Sequence, residues 1–489
     1  MRQARTSGRA PCQGSTGHFG RERTWRDACG VFGIWGPGEE VARQTFFGLY
    51  ALQHRGQESA GIATGDGSSI HLHADLGLVS QVFDEDIIKG LTGHVAVGHV
   101  RYSTTGSNVP ENVQPMRGQH QGTPFAIGHN GNLINTAELR GEFERQGHTF
   151  KSTSDTAVIA KLIESRTTTS LEEAIAEAMP RMKGAYSLAV CAPDRLIAVR
   201  DPNGVRPLCI GRMDGAWVIA SETCALGVIG AEFIREVQPG EIVTLDEDGL
   251  SAIQALESKD DACCIFEFIY FARPDSHIHG KSVYMARLNM GKYLAEQAPV
   301  DADLVIGIPE SAISHAMGYA QQSGIMYGEG FIKNRYIHRT FIMPDQRLRE
   351  AGVRTKLAPL REAVAGKRLV VVDDSIVRGT TTGPEIELLR EAGAREIHLR
   401  ISCPRIQFPC FYGIDTSTRK ELIGARMDVE RIREHVGADS LEFLSMENLV
   451  KAVGLPKASF CTACFDETYP IEIPEDVQVS KYDFEQVSA

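Results

Sequence analysis

The stretch Arg368-Leu-Val-Val-Val-Asp-Asp-Ser-Ile-Val-Arg-Gly-Thr-Thr-Thr-Gly383 runs from an unbroken apolar segment into two acids and then a loop of small and hydroxyl residues. Consecutive β-branched residues without alternation suit a strand buried on both faces. A helix is expected to start near Pro384. Tight loops and helix starts present unpaired backbone N–H groups, which suit a phosphate. Ser375, Gly379, Thr380 and Thr381 let the backbone come close and add hydroxyl donors. Asp373 and Asp374 can accept from two neighbouring sugar hydroxyls or hold a hydrated Mg²⁺. Two acids before a loop can also be plain helix caps; the whole string is more specific than that.

Around this stretch, apolar runs alternate with helical patterns. Strands are expected at Leu304–Ile308, Arg368–Val372 and Ile397–Ile401, and helices near Ser314–Ser323 and Pro384–Ala392. Such alternation predicts an α/β doubly wound parallel sheet. The quoted string resembles the fingerprint of type I phosphoribosyltransferases. That resemblance implies 5-phosphoribosyl 1-pyrophosphate (PRPP) as substrate. Ser311, in the turn Pro309-Glu-Ser311, would then lie near Asp373 and bind pyrophosphate or complete a magnesium shell. Arg335 belongs to a basic span from Lys333 to Arg349 that could close over a pyrophosphate; without its neighbours it reads equally as a solvated basic face.

The first half of the chain has another texture. Short β-like runs, at Val31–Trp35, Val95–Val100, Phe125–Ile127, Ser187–Val190, Leu196–Val199 and Trp217–Ala220, are broken by two helical patterns, Val41–His54 and Thr156–Ser165. This predicts an α+β domain with antiparallel sheets. Cys29 opens the first run. By itself it reads as a core thiol, but with residues 1–28 removed its own α-amine could serve as general base. Arg101 is a fit partner for an α-carboxylate. Asn130 and the Gly131 backbone could form an oxyanion hole. Asp155, in Ser152-Thr-Ser-Asp-Thr156, could bind an α-ammonium. In this order after Cys29, and with Gln53–Gly61 and Arg200–Pro207, the residues resemble class II glutamine amidotransferase domains of the N-terminal nucleophile type. The resemblance implies that Cys29 attacks the side-chain amide of glutamine.

A class II glutaminase followed by a phosphoribosyltransferase resembles the glutamine PRPP amidotransferase family over about residues 29–470. It implies a glycosyltransferase of the pentosyl class that makes 5-phosphoribosylamine at the start of purine synthesis. It also implies feedback inhibition by purine nucleotides and a homotetramer. The expected organisation is a disordered leader over 1–28, a glutaminase domain over 29–258, a phosphoribosyltransferase domain over 259–440 and a C-terminal helical segment over 441–489.

Cys461-Thr-Ala-Cys464 adds a thiol pair whose bare spacing fits redox, zinc or neither. Four thiolates suit zinc or iron–sulfur, and spacing does not separate them. The iron–sulfur branch of the family carries a [4Fe–4S] cluster on cysteines in the contexts of Cys264, Cys410, Cys461 and Cys464, and this chain resembles that branch. Cys263 abuts Cys264 and either could serve; the register to Glu267 favours Cys264. Cys403 is an alternative to Cys410 without the family context.

Composition sets the outer limits. The hydrophobic fraction is 42% and the net charge is −12, which describes a globular chain and not a basic nucleic-acid binder. Apolar runs long enough to span a membrane are absent from the sequence. Eleven cysteines, an odd number in a long chain without a secretory h-region, point to a cytoplasmic protein using thiols for chemistry or metal. Residues 1–28 are rich in arginine and poor in acids, which fits a removable leader or an overextended start and also resembles an organelle transit peptide. A nucleotide-sensing regulator built on an inactive phosphoribosyltransferase, or another glutamine-dependent transferase, are the competing readings.

Overall fold

A computed structural model describes residues 29–102, 107–259, 261–334, 357–414 and 419–474. The expected leader, and Arg335 with the basic span to 349, lie outside the described residues.

The strand Gly30–Trp35 lies within a seven-stranded antiparallel sheet, between Val95–Arg101 and Ala216–Ala220. Its side chains alternate in direction. Val31 and Trp35 point toward a second, six-stranded antiparallel sheet and join Val97, Ala126, Ala189, Leu196 and Val243 in the core between the two. Phe32 and Ile34 point the other way, onto the helices Val41–Ala51 and Thr223–Ile229. The second sheet is covered on its far side by Asp155–Glu164 and Leu171–Ala178. The result is four layers: helices, sheet, sheet, helices. Both faces of each central strand are buried, which is why these antiparallel strands read as apolar runs instead of alternating ones.

Both expected helices of this half are present, over Val41–Ala51 and Asp155–Glu164. Thr136–Arg145, Leu171–Ala178 and Thr223–Ile229 are helices that the periodicity does not predict. The second of them opens on a reciprocal cap, in which Ser170 Oγ accepts from Glu173 N and Glu173 Oε2 from Ser170 N.

In the second half, Leu304–Gly307, Arg368–Asp373, Glu396–Ile401 and Ser440–Phe443 form a wholly parallel sheet in that spatial order. The helices Val283–Gln297 and Ile313–Ser323 cross in near-backbone contact. A Cβ on Gly291 would stand 1.8 Å from the carbonyl oxygen of His315, and one on Gly318 1.9 Å from that of Leu288. Glycine at both points is what lets these helices meet. Past the polar stretch at 255–259, which has neither helix nor strand, Cys263–Cys264 pairs in parallel with Phe460–Cys461. This short ladder brings residues 460–461 back beside 263–264, at the start of the second half.

Candidate active sites

Cys29 immediately precedes the strand Gly30–Trp35, and the register Gly30↔Val100 sets it beside Arg101 at the end of the neighbouring strand. Its Sγ donates to the carbonyl of Tyr102 at 3.3 Å. Burial pushes the thiol up; the Tyr102 carbonyl and Arg101 pull it back, and Asp155 and Glu58 raise it. Cys29 is thus buried like a core cysteine, but its electrostatic neighbours are ionic.

Arg101 is buried and donates from Nη1 to Ser107 O at 3.2 Å. Asp155 is the first residue of its helix, which Ser154 caps. Burial alone would raise the Asp155 carboxyl, yet it is held below the ordinary value. The His129 ring (3.6 Å) and the Leu133 N–H (3.1 Å) outweigh the burial. Asn130 and Gly131 lie on the strand Thr123–Leu133 of the other sheet. Cross-sheet contact is direct, because the His99 ring bonds the His129 carbonyl at 3.0 Å. Asn130 is fully buried, and among the described residues neither polar atom of its amide has a hydrogen-bond partner. Buried polar atoms rarely go unpaired unless a ligand completes them. Gly131 has φ +149, and a Cβ there would stand 2.0 Å from Ala185 O, so only glycine fits.

The second site is at the carboxyl end of the parallel sheet, where open α/β folds bind ligands. Asp373 ends its strand, and Asp373, Asp374 and Ser375 are all buried. Asp374 N donates to Asp373 Oδ1 at 2.9 Å, and Ser375 Oγ donates to Asp374 Oδ1 at 2.6 Å. The pairing Gly307↔Val372 brings the turn holding Ser311 alongside. Gly379 has φ +75, and Thr381 is the residue before the helix Thr382–Glu391. Sequence reading overlooks Glu385, on the first turn of that helix. Burial, then the charge of Asp374, pushes Glu385 up to about 8. Asp373 is pushed well above the carboxylate range by burial, then by Asp374 and Glu385. Asp373, Asp374 and Glu385 together form an electron-rich pocket suited to a cation and sugar hydroxyls, with the buried Arg287 within electrostatic reach of Asp374.

The candidate thiols also gather. Cys264 lies opposite Cys461 in the short parallel ladder, and the carbonyl of Cys464 accepts from Gln407 N and Phe408 N, ahead of Cys410. Burial pushes Cys264 up to about 12 and raises Cys410, Cys461 and Cys464. The Cys464 thiol feels those of Cys264, Cys461, Cys410 and Cys403, in falling order. Cys263 pairs with Phe460 in the ladder, and besides burial its thiol feels Arg200, Glu267 and Glu236 ahead of Cys264. The donor set is therefore all sulfur. Among the described residues no three His, Cys, Asp or Glu stand close enough to hold a single metal ion.

Sequence reading also gives no role to Arg55, which is buried and donates from Nε to the Cys29 carbonyl at 3.0 Å. Its carboxylate partners, Glu222 and Glu267, are 167 and 212 residues away, so no local pattern announces it.

Residues 99–227 match the model of a family described as a glutamine amidotransferase domain. The amidophosphoribosyltransferase of Synechococcus elongatus is 49% identical over 479 residues, covering 96% of this chain and 97% of its own. That of Bacillus subtilis is 48% identical over 456 residues, covering 92% and 95%. The solved structure of glutamine PRPP amidotransferase from B. subtilis, complexed with ADP and GMP, superposes with a TM-score of 0.87 at 48% identity, covering 92% of this chain and 99% of that one. Another, described as the allosteric regulatory enzyme of purine biosynthesis, gives 0.88 at 48% identity, with coverage of 92% and 97%.

Proposed function

The chain belongs to the amidophosphoribosyltransferase family, and from that premise we propose how its residues divide the reaction. The enzyme takes nitrogen from glutamine and transfers it to C1 of PRPP, giving 5-phosphoribosylamine, glutamate and pyrophosphate for purine synthesis. Arg101 holds the α-carboxylate of glutamine and Asp155 its α-ammonium. Cys29 Sγ attacks the side-chain amide carbon. Removal of residues 1–28 frees the Cys29 α-amine, which takes the thiol proton and passes it to the departing ammonia. Asn130 Nδ2 and the Gly131 N–H hold the oxyanion. Water then cleaves the thioester and releases glutamate. The observation that carries this reading is the buried, unpartnered amide of Asn130 on the strand facing Cys29, Arg101 and Asp155.

At the other site, the loop of Ser375, Gly379, Thr380 and Thr381 holds the 5-phosphate. Asp373 and Asp374 accept from the ribose hydroxyls, and Arg335 meets the pyrophosphate. Ser311, Asp373 and Asp374 would hold Mg²⁺, which when bound neutralises pyrophosphate charge; such sites commonly use one or two carboxylates together with substrate phosphates. Ammonia reaches C1 without release to water, because at neutral pH it would become ammonium and lose its nucleophilic pair. Cys264, Cys410, Cys461 and Cys464 would hold a [4Fe–4S] cluster tying the C-terminal segment to the catalytic body. Purine nucleotides inhibit by feedback, and the chain works as a cytoplasmic homotetramer. Among the described residues no helix is long and apolar enough to cross a membrane.

An assay with glutamine, PRPP and Mg²⁺ tests the function; glutamine consumption that continues unchanged without PRPP, and yields no pyrophosphate with it, would refute it. Anaerobically purified protein should be brown and contain about four irons per chain. Colourless protein carrying zinc contradicts the cluster.

The acid pocket makes a pH prediction. Folded Glu385 keeps a proton up to about 8, whereas its ordinary value is 4.5. Between those values the folded state binds more protons than the unfolded one, so this group's contribution to stability falls as pH rises. A divalent cation competes with that proton. Added Mg²⁺ should therefore raise the melting temperature more at pH 8 than at pH 6. An equal rise at both would contradict cation binding among these acids.

A further inference from the structure

Between Cys29 and the four cysteines runs a continuous chain of ion pairs and hydrogen bonds, with Arg55 at one end. Besides bonding the Cys29 carbonyl, Arg55 donates from Nη1 to Glu222 at 2.5 Å and to Glu267 Oε2 at 2.9 Å, and from Nη2 to Glu267 Oε1 at 2.7 Å. Glu267 accepts further from Arg206 Nη1 at 3.3 Å. The rest of the Arg206 guanidinium turns to the lobe: Nε and Nη2 donate to the Tyr412 carbonyl at 3.3 and 3.2 Å. Tyr412 N in turn donates to Cys410 Sγ at 3.4 Å, and Arg206 is within electrostatic reach of Cys264 and Cys410. The side chains of Arg55, Glu267 and Arg206 are 0% exposed.

A purely adhesive junction could be apolar. This one is directional. A bidentate fork fixes the plane of the Arg55 guanidinium, and so where its Nε points. That Nε holds the carbonyl of Cys29 itself, immediately before the strand Gly30–Trp35. Removing charge from one member leaves the others buried and unbalanced.

We propose that Glu267 and Arg206 are positioning residues for the Cys29 nucleophile, acting through Arg55 and tethering it to the four-cysteine lobe. The proposal rests on the reading of Cys29 as nucleophile. Neither residue touches glutamine or PRPP in the scheme above, so their effect should appear in the reactivity of the thiol and not in chemistry at C1.

The full-length protein is treated with a diazo-ketone analogue of glutamine, and modification of each cysteine is timed by mass spectrometry; ammonia-dependent synthesis and iron content are measured in parallel. In the wild type, Cys29 should be modified ahead of the other cysteines; if it is not, the nucleophile reading itself fails. Glu267→Gln keeps the shape and removes the charge, and should slow Cys29 modification by about tenfold or more, with ammonia-dependent activity within about twofold and iron content unchanged. Arg206→Lys keeps the charge but cannot bond Glu267 and the Tyr412 carbonyl as the guanidinium does, and should slow modification by a smaller factor; it decides the matter if Glu267→Gln does not fold. Wild-type rates in the folded variants overturn the proposal while leaving Cys29 as nucleophile. A parallel fall in thiol reactivity, ammonia-dependent activity and iron content also overturns it, because the network is then only structural.

Discussion

Replacing Cys29 with alanine is expected to lower glutamine-dependent synthesis by about a thousandfold or more while leaving synthesis from ammonium salts near the wild-type rate. The asymmetry follows from the geometry. Cys29 and Arg101 belong to the first antiparallel sheet, Asn130 to the second, and Asp155 starts the helix that covers the second, whereas Asp373 ends a strand of the separate parallel sheet and Asp374 follows it. Alanine removes the attacking sulfur and the hydrogen bond to Tyr102, but it fits the space and leaves the backbone carbonyl that Arg55 holds. Loss of both activities would contradict this division of labour. Intact-mass measurement on active wild-type protein should show a chain beginning at Cys29.

The converse is expected for Asp374→Asn. Both glutamine- and ammonia-dependent synthesis should fall by about a hundredfold or more, because both need the ribose and cation site. Cysteine modification at Cys29 should persist. The same substitution should make the ligand-free protein more stable. Asp374 contributes to raising both Asp373 and Glu385, so the pocket holds unfavourable charge when nothing occupies it. Relieving it should raise the melting temperature by about 1 to 3 °C. A variant that is both less active and less stable would mean that the acids serve the fold and not the ligand.

The two halves were legible in the sequence to different degrees. The string Arg368–Gly383 carries its strand, acids, loop and helix in consecutive residues, so local reading places them well. The helix Val283–Gln297 escapes such reading. It is buried on several sides, it contains Arg287 in the core, and its Gly291 looks like a helix breaker until the contact with His315 is seen. Glu385 escapes local reading because one acid on a helix reads as solvated surface; only the fold brings it under the influence of Asp374. The Arg55–Glu267–Arg206 network was out of reach for the same reason, since its members converge from segments more than 60 residues apart. Long-range polar contacts are set by topology, and local periodicity carries no trace of them.

The central claim is that nitrogen freed at Cys29 is consumed at Asp373 and Asp374 without entering solution. Glutamine labelled with ¹⁵N at its amide, supplied with PRPP and Mg²⁺ in excess unlabelled ammonium, tests it most directly. The account predicts phosphoribosylamine labelled almost wholly from glutamine. Product carrying the isotopic composition of the bulk ammonium would contradict it.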